Sequence, residues 1–432
     1  MAFLLFSWPF FYFPLTDGDI AHWVPWATEI RLHHNFLSAP SDQAHGPLLA
    51  WTGSVFGTFS PHSFYAYALF TILCGVLTVA TVYAFAQKLW RNAGLSQFAA
   101  VVFMTSLAAV YFTRTPMYDW PATTFFFAFC YFYYVYTTEG HYRNLGLALG
   151  ATALASLCRF SIGLGLSGLF MIIVGIIYRK PFHRILRDGV LILVAGAAVN
   201  LPWLWVQSHV FGEAFVQTFF RDNLGRFITD NPGDPIHRDY YGFLVYALVG
   251  TLPYLFLVLT SLFQKRLWKW IAQHRGVQAL IATFLPCLIF FSFSGHTKLA
   301  RYIAYVFPGM MLFFAAHWYL VDLAIEKYRK RLNWMFGISG VLTIILLLIQ
   351  VFQFSAQARS AVYFSLCTFA FVLGLLATAF WAVWQWKAFL SHPLRTVAPM
   401  VAVYLFFFTA LTYFSFRVSF LNDVRLLIQG LL

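Results

Sequence analysis

The stretch AAVYFTRTPMYDWPATTFFFAF, residues 108 to 129, places two charged side chains between apolar segments. The apolar residues before Arg114 and after Asp119 belong to longer runs, near residues 96–113 and 117–137. Each run approaches the roughly 20 apolar residues that a helix needs to cross a bilayer. We therefore predict two consecutive membrane helices, with Asp119 at the outer start of the second.

The composition of the whole chain supports this interpretation. Its 432 residues are 61% hydrophobic and only 10% charged, whereas soluble domains carry about 25% charged residues. We predict an all-α polytopic membrane protein with about 13 transmembrane helices, of which the fifth and sixth could form one broken element. The other eleven candidate spans lie near residues 2–16, 62–87, 145–158, 161–178, 189–206, 239–263, 277–294, 301–321, 333–354, 362–386 and 396–416.

The charges indicate an orientation. The net charge is +13, but the basic residues fall in short clusters between apolar runs, which is the positive-inside pattern and not a nucleic-acid surface. With the N-terminus inside, most acidic residues lie outside, as do the long polar loops 17–61 and 207–238. We expect interfacial helices in these loops and chemistry at the outer face.

The domain prediction follows from the same spans. Residues 1–416 form one transmembrane domain, and 417–432 form a short tail. The first apolar run lacks a basic leader and a small-residue cleavage site. We therefore expect a first helix there and not a signal peptide.

Three aspartates are candidates for chemistry. Asp17 and Asp19 follow the first predicted helix, and Asp119 begins the fourth. An ionisable group at membrane depth is costly and marks a functional candidate. The alternative is that these acids cap helices, because short acidic side chains satisfy the free N–H groups of a helix start.

Cationic side chains interrupt apolar segments at three further places. Arg159 divides LASLCRFSIGLGLSGLF (154–170), and the outer loops supply Arg226, Lys298 and Arg301, the last beside Tyr302. A buried guanidinium needs an anionic partner, which is either a protein carboxylate or a ligand phosphate. Snorkelling to the interface or contact with lipid phosphates is the simpler alternative for the loop cations.

Two weaker patterns are interpreted structurally. Gly163, Gly165 and Gly168 spell GxGxxG, but no strand precedes them, so close helix packing is favoured over nucleotide binding. His33, His34 and His45 lack metal-site spacing, and the five cysteines stand singly. No metal site is predicted from these patterns.

Four stretches together resemble a known family: DGDIAHWVPWATEI (17–30), SDQAHGPLLAWTGSVFG (41–57), AAVYFTRTPMYDWPATTFFFAF (108–129) and FSGHTKLARYIAYVFPG (293–309). FFRDNLGRF (219–227) adds a weaker fifth. In their order and spacing, the chain resembles the C-type glycosyltransferases of the protein O-mannosyltransferase superfamily, especially the bacterial branch of lipid A aminoarabinose transferases.

The resemblance also ranks the two N-terminal acids. In the family, an acidic pair is followed four residues later by tyrosine and eight later by alanine. Counting from Asp19 gives Trp23 and Ala27, so the resemblance implies that Asp19 is the catalytic aspartate. Ile20 stands where the family often has glutamate, and Asp17 is the candidate for that second carboxylate.

The resemblance implies an inverting transfer of a sugar from a polyprenyl-phosphate donor to a lipid A-like glycolipid, a glycan or a protein, outside a bacterial inner membrane. Asp19 would be the base. Asp119 would be the other catalytic carboxylate, which orients the sugar or stabilises positive charge developing on it. The implied phosphate-binding set is Arg159, Lys298 and Arg301, with Arg114 and Arg226 as second-rank candidates. The implied substrate-binding residues are His45 and Tyr302.

Departures from the family leave the substrate open. His45 and Arg159 stand where relatives tend to have lysine, and the large periplasmic C-terminal domain of that branch has no counterpart in the sequence. The sugar, the acceptor and a requirement for a divalent cation are not determined. The alternatives are a secondary transporter or lipid-linked sugar flippase without covalent chemistry, and a non-catalytic scaffold subunit.

Overall fold

A computed structural model describes residues 20–37, 45–59, 64–114, 116–225, 242–252, 254–293 and 300–322. The regular elements of these residues are helices, and no strand occurs among them. The all-α prediction is therefore confirmed. The spans predicted at 2–16 and beyond residue 322, and the tail at 417–432, lie outside the described residues.

Fifteen α-helices follow one another in the described residues. They are α1 (Ile20–His33), α2 (Leu48–Phe59), α3 (Phe64–Trp90), α4 (Ala93–Met104), α5 (Leu107–Arg114), α6 (Asp119–Glu139), α7 (Tyr142–Cys158), α8 (Phe160–Ile177), α9 (Phe182–Phe220), α10 (Gly242–Gly250), α11 (Leu255–Leu262), α12 (Lys265–Gln273), α13 (Arg275–Ile281), α14 (Leu285–Phe293) and α15 (Phe307–His317). A 3₁₀ segment, Ala300–Val306, leads into α15.

Several of these helices are long and apolar enough to cross a membrane. Within the described residues, five such stretches occur, at 68–90, 160–177, 182–223, 275–293 and 301–321. The pair α4 and α5, bent by 62°, would make a sixth. The protein is a multi-pass membrane protein, and the count of about 13 spans stays a prediction.

Three predicted spans are each divided between two α-helices in the structure, and the one at 277–294 falls on α13 and α14. The span predicted at 96–113 bends between α4 and α5, where Thr105 and Ser106 donate side-chain hydrogen bonds to the carbonyls of Val101 and Phe103. Such bonds compete with the backbone pattern of a continuous helix. The span predicted at 239–263 is two helices, α10 and α11, and Pro253 between them lacks the N–H that a continuous helix needs.

Helix α6 is the centre of the bundle. Its residues from Asp119 through Cys130 are all buried, because α3, α7, α8 and the 3₁₀ segment pack around it. The hydroxyls of Thr78 and Thr124 lie 2.8 Å apart and join α3 to α6. Gly140, in the left-handed conformation with φ of 78°, ends the helix as a glycine at this position commonly does. A helix buried on all sides holds its first residue, Asp119, away from water.

One extended residue separates α7 from α8. Arg159 has φ of −140° and ψ of 95°, so it ends one helix and precedes the next. A Cβ on Gly163 would lie 2.7 Å from the backbone carbon of Ala155, which shows why this close turn needs glycine. Gly165 and Gly168 have no neighbour within 4 Å of such a position. The fifth and sixth predicted spans are thus two helices joined at Arg159.

The loop 17–61, predicted to lie outside, contains two helices, α1 and α2, which pack together. The indole of buried Trp23 donates a hydrogen bond of 3.0 Å to the carbonyl of Pro116, three residues before Asp119. In the second outer region, α9 continues through Phe220, with a kink at Gly212 where φ is 59°. Helix α1 is therefore tied directly to the start of α6.

Candidate active site

A buried carboxylate faces two guanidiniums at the N-terminal end of α6, which is the end predicted to lie outside. Asp119 is 0% exposed. Its Oδ2 accepts a hydrogen bond of 2.9 Å from Nη2 of Arg159, and Nε of Arg301 lies 3.7 Å from the same oxygen. Guanidiniums gathered in this way can bind an anionic ligand through charge-assisted hydrogen bonds.

Arg159 also holds a histidine. Its Nη1 lies 2.9 Å from Nε2 and 3.0 Å from Nδ1 of His45, and a neutral imidazole has one unprotonated nitrogen that can accept. His45 reaches this position because Gly46 packs against α7, where a Cβ would lie 2.0 Å from the carbonyl oxygen of Leu157. The loop 17–61, which supplies His45, and the break between α7 and α8, which supplies Arg159, therefore form one side of the site together.

Tyrosine rings line the two guanidiniums. Arg159 lies over the rings of Tyr118 and Tyr302, at 5.8 Å and 5.9 Å. Arg301 lies 5.7 Å from the ring of Tyr302, and His45 meets Tyr118 edge to face at 4.9 Å. Cation–π contacts of this kind hold arginines in place while their N–H groups remain directed at anions. A lysine in place of either arginine would lack the planar guanidinium that makes these contacts with the tyrosine rings.

The structure brings together five of the predicted site residues: His45, Asp119, Arg159, Arg301 and Tyr302. Asp17, Asp19, Lys298 and Arg226 lie outside the described residues, as does the side chain of Arg114, the last residue of α5. For Arg159, the ion pair with a protein carboxylate is observed. Its phosphate-binding role, like the roles of the other site residues, stays a prediction.

Two tyrosines at the site were not among the sequence candidates. Tyr118 precedes Asp119, and Tyr305 lies three residues after Tyr302 in the 3₁₀ segment. Side chains at i and i+3 share a face in a 3₁₀ helix because it has 3.0 residues per turn. Residues three apart are neighbours on an α-helix as well, so the spacing of Tyr302 and Tyr305 was a signal that could have found the second tyrosine.

The residues that could hold a metal are scattered in the described part of the chain. His33 is exposed and lies 3.4 Å from Glu29 within α1, and no group of three or more His, Cys, Asp or Glu side chains forms among the described residues. At the site itself, Asp119 and His45 are each already bound to Arg159. The described residues thus offer no complete metal site, and a cation requirement stays an open prediction.

This helical membrane bundle has the C-type glycosyltransferase fold. Residues 44–205 match the family described as dolichyl-phosphate-mannose-protein mannosyltransferase. That stretch includes His45, Asp119 and Arg159. The resemblance noted in the sequence is confirmed.

Two relatives with similar sequences agree with this resemblance. The chain is 24% identical over 354 residues to undecaprenyl phosphate-alpha-4-amino-4-deoxy-L-arabinose arabinosyl transferase 2 of Proteus mirabilis, covering 77% of this chain and 59% of the relative. It is 25% identical over 288 residues to the corresponding transferase of Erwinia tasmaniensis, covering 63% and 49%. The chain thus spans about half to three fifths of the length of these relatives.

The solved structures extend the comparison to nearly the whole chain. The crystal structure of ArnT from Cupriavidus metallidurans bound to undecaprenyl phosphate superposes with a TM-score of 0.73 at 15% identity, over 95% of this chain and 75% of that one. Its apo structure gives a TM-score of 0.71 at 17% identity. At these identities, the likeness establishes the fold.

Proposed function

We propose that this protein is an integral-membrane inverting glycosyltransferase. It moves a sugar from a polyprenyl-phosphate donor to a cell-envelope acceptor, which is a lipid A-like glycolipid, a glycan or a protein. The reaction takes place at the periplasmic face of a bacterial inner membrane. The observation that carries the proposal is the buried Asp119 carboxylate, held through one oxygen by Arg159 with Arg301 beside it.

The guanidiniums of this cluster suit a phosphate leaving group. Arg159 and Arg301 both lie against the same oxygen of Asp119. As the bond from sugar to phosphate breaks, negative charge grows on the phosphate oxygens, and prearranged guanidiniums stabilise it by charge-assisted hydrogen bonds. Lys298, three residues before Arg301 in the sequence, is proposed as a third cation of this set, and Arg114 and Arg226 as secondary ones.

The proposed step conserves atoms and charge in a simple way. An acceptor oxygen attacks the anomeric carbon from the face opposite the phosphate, a new C–O bond forms, and the carbon–oxygen bond to the lipid phosphate breaks. Asp19 takes the proton of an acceptor hydroxyl or aligns an acceptor phosphate oxygen. Asp119 orients the sugar or stabilises the positive charge that develops on it. Asp17 is proposed as a neighbouring carboxylate.

The relatives support the donor class. Two are named as undecaprenyl phosphate aminoarabinose transferases, and the superposed structure holds undecaprenyl phosphate. The apolar helices around α6 would accommodate a polyprenyl tail, because such a tail lies favourably beside apolar side chains at the membrane. The identity of the transferred sugar is left open, because His45 and Arg159 differ from the lysines that relatives tend to have.

The direct experiment supplies purified protein with undecaprenyl-phosphate-linked sugars and an envelope extract. Wild type is compared with Asp19→Asn and Asp119→Asn, and mass spectrometry follows the transferred sugar. We expect a covalent product with wild type and at least about a hundredfold slower formation with either variant. Undiminished transfer by a variant removes that residue from the mechanism. Donor movement across proteoliposomes without a covalent product would instead support a flippase.

A further inference from the structure

Tyr305 is a buried hydroxyl that the proposed step does not use. The residue is 1% exposed, and its ring packs against Phe126 at 6.2 Å and against Phe291 at 5.8 Å. Phe291 also stacks on Tyr302 at 6.0 Å, so both tyrosines of the 3₁₀ segment share one wall. Within the described part of the chain, the Tyr305 hydroxyl has no hydrogen-bond partner.

The same is true of one oxygen of Asp119. Oδ2 binds Arg159, but Oδ1 is buried and has no hydrogen-bond partner among the described residues. The 3₁₀ segment packs on α6, where the Tyr305 ring contacts Phe126, and the Tyr305 hydroxyl lies near enough to the Asp119 carboxylate and Arg159 to feel their charges. The Tyr305 hydroxyl, which can donate, and Oδ1 of Asp119, which can accept, are therefore both buried where the 3₁₀ segment packs on α6.

Leaving such groups unpaired is costly. Each buried, unsatisfied polar group costs about 1 to 3 kcal/mol, and a charged group costs more. A sugar hydroxyl satisfies both, because its own O–H donates to the carboxylate while its oxygen accepts from the tyrosine. An apolar chain cannot satisfy either group because it has no polar atoms. A fully ionised phosphate can accept from the tyrosine but has no proton to donate to the carboxylate.

We propose that the Tyr305 hydroxyl and Oδ1 of Asp119 form a subsite that binds one hydroxyl group of the transferred sugar. The inference rests on the proposed function for the identity of the ligand. The sugar is favoured over the acceptor because it is bonded to the phosphate. The cations expected to hold that phosphate, Arg159 and Arg301, lie on the other oxygen of the same carboxylate. Tyr305 is thus a specificity residue.

The test compares donors and tyrosine variants. Undecaprenyl-phosphate-linked pentoses and hexoses, each paired with its monodeoxy analogues, are titrated onto wild type, Tyr305→Phe and the matched control Tyr254→Phe. Tyr254 is also a buried tyrosine, but its hydroxyl lies 2.6 Å from the hydroxyl of Thr105. We expect wild type and Tyr254→Phe to bind one hydroxylated donor about tenfold more tightly than the analogue lacking that hydroxyl. Tyr305→Phe should lose this preference.

A second measurement separates binding from structure. Tyr305→Phe should unfold at or above the wild-type temperature because it removes a buried hydroxyl that has no internal partner, whereas Tyr254→Phe should unfold at a lower one because it loses a hydrogen bond. A greater loss of stability in Tyr305→Phe would show an internal partner for the hydroxyl and would overturn the proposal. So would an unchanged donor preference, or no binding of any donor.

Failure of the proposed function is distinguishable in the same experiment. If wild type discriminates between the donor pairs through Tyr305 but forms no covalent product with an envelope extract, the subsite stands and the transfer reaction fails. If product forms while Tyr305→Phe keeps the wild-type preference, the reaction stands and the subsite fails. Saturable binding and product formation are therefore recorded on the same preparations.

Discussion

A fully buried aspartate lies at each end of α6: Asp119 at its N-terminal end, predicted to be the outer one, and Asp188 of α9 at its C-terminal end, predicted to be the inner one. The two carboxylates differ in how their oxygens are used. At the inner end, both oxygens of Asp188 are bound: Oδ1 accepts from Arg187 at 2.7 Å, and Oδ2 accepts from the Tyr133 hydroxyl at 3.0 Å and from Lys180 at 3.4 Å. At the outer end, Asp119 uses only Oδ2 among the described residues.

This difference distinguishes a structural ion cluster from a site. Lys180 is held over the rings of Tyr133 and Tyr136, at 4.5 Å and 4.3 Å, so the inner cluster is complete without a ligand. A buried cluster whose two carboxylate oxygens are both bound links α6 to α9 and stabilises the fold. Among the described residues, the outer cluster keeps one carboxylate oxygen, which a hydroxyl of a phosphate-linked sugar can satisfy.

The largest expected effect is the loss of transfer in Asp119→Asn. The amide keeps the size of the side chain but removes the charge that orients Arg159 and stabilises the sugar. We expect the rate of transfer per folded molecule to fall by about a thousandfold, together with a lower melting temperature because buried Arg159 loses its carboxylate. The measurement is product formation by mass spectrometry, normalised to folded protein. A variant that transfers at the wild-type rate would make Asp119 as structural as Asp188.

Arg159→Lys should have the next largest effect. Lysine cannot contact Asp119 and His45 with separate N–H groups of one planar fork, and it presents fewer donors to a phosphate. We expect binding of undecaprenyl phosphate to weaken about 50-fold, on the scale of hydrogen bonds to charged groups. Calorimetric titration of the purified protein checks this, with Arg187→Lys at the inner cluster as the control. Equal losses in both variants would contradict the assignment of the phosphate to the outer end.

Asp188→Asn should reverse the pattern and affect stability. Removing this charge leaves Lys180 and Arg187 without their carboxylate, and both are part of a half-buried cluster. We expect the free energy of unfolding to fall by about 2 kcal/mol, measured by denaturation in detergent. Transfer per folded molecule should stay within about twofold of wild type. A strong loss of transfer at unchanged stability would assign the inner cluster to function.

The smallest effect concerns pH. Burial lowers the pKa of Lys180 below its ordinary value of 10.5, against the opposing effect of Asp188. Between the lowered pKa and the ordinary one, the unfolded chain binds more protons than the folded chain, so stability from this group rises with pH in that window. In Lys180→Met, this rise should be absent when melting temperature is followed upward from neutral pH. An identical pH profile in the variant would contradict the prediction.

Much of the fold is readable from the sequence because the bilayer imposes a simple rule. Apolar runs predicted α3, α6, α7 and α8 within a few residues, and the charges at their ends pointed to Asp119 and Arg159. The breaks within predicted spans were missed because they depend on local events, such as the hydroxyl bonds of Thr105 and Ser106. Pro253 was the one visible signal of such a break.

The site was predicted as a set of residues but not as an arrangement. Asp119 and Arg159 are 40 residues apart, and their ion pair depends on how α7 packs on α6, which no local pattern encodes. Asp188 was not a sequence candidate, and the structure buries it in α9 against the Tyr133 hydroxyl. The partners of a charge, and thus its role, follow from tertiary packing.

The central claim is that chemistry resides at the outer carboxylate and not at the inner one. The most direct measurement is the initial rate of sugar transfer from undecaprenyl-phosphate-linked donors, per folded molecule, for wild type, Asp119→Asn and Asp188→Asn side by side. We predict rapid transfer by wild type and Asp188→Asn and a rate about a thousandfold lower for Asp119→Asn. Equal rates for the two variants, or an active Asp119→Asn beside an inactive Asp188→Asn, would contradict it.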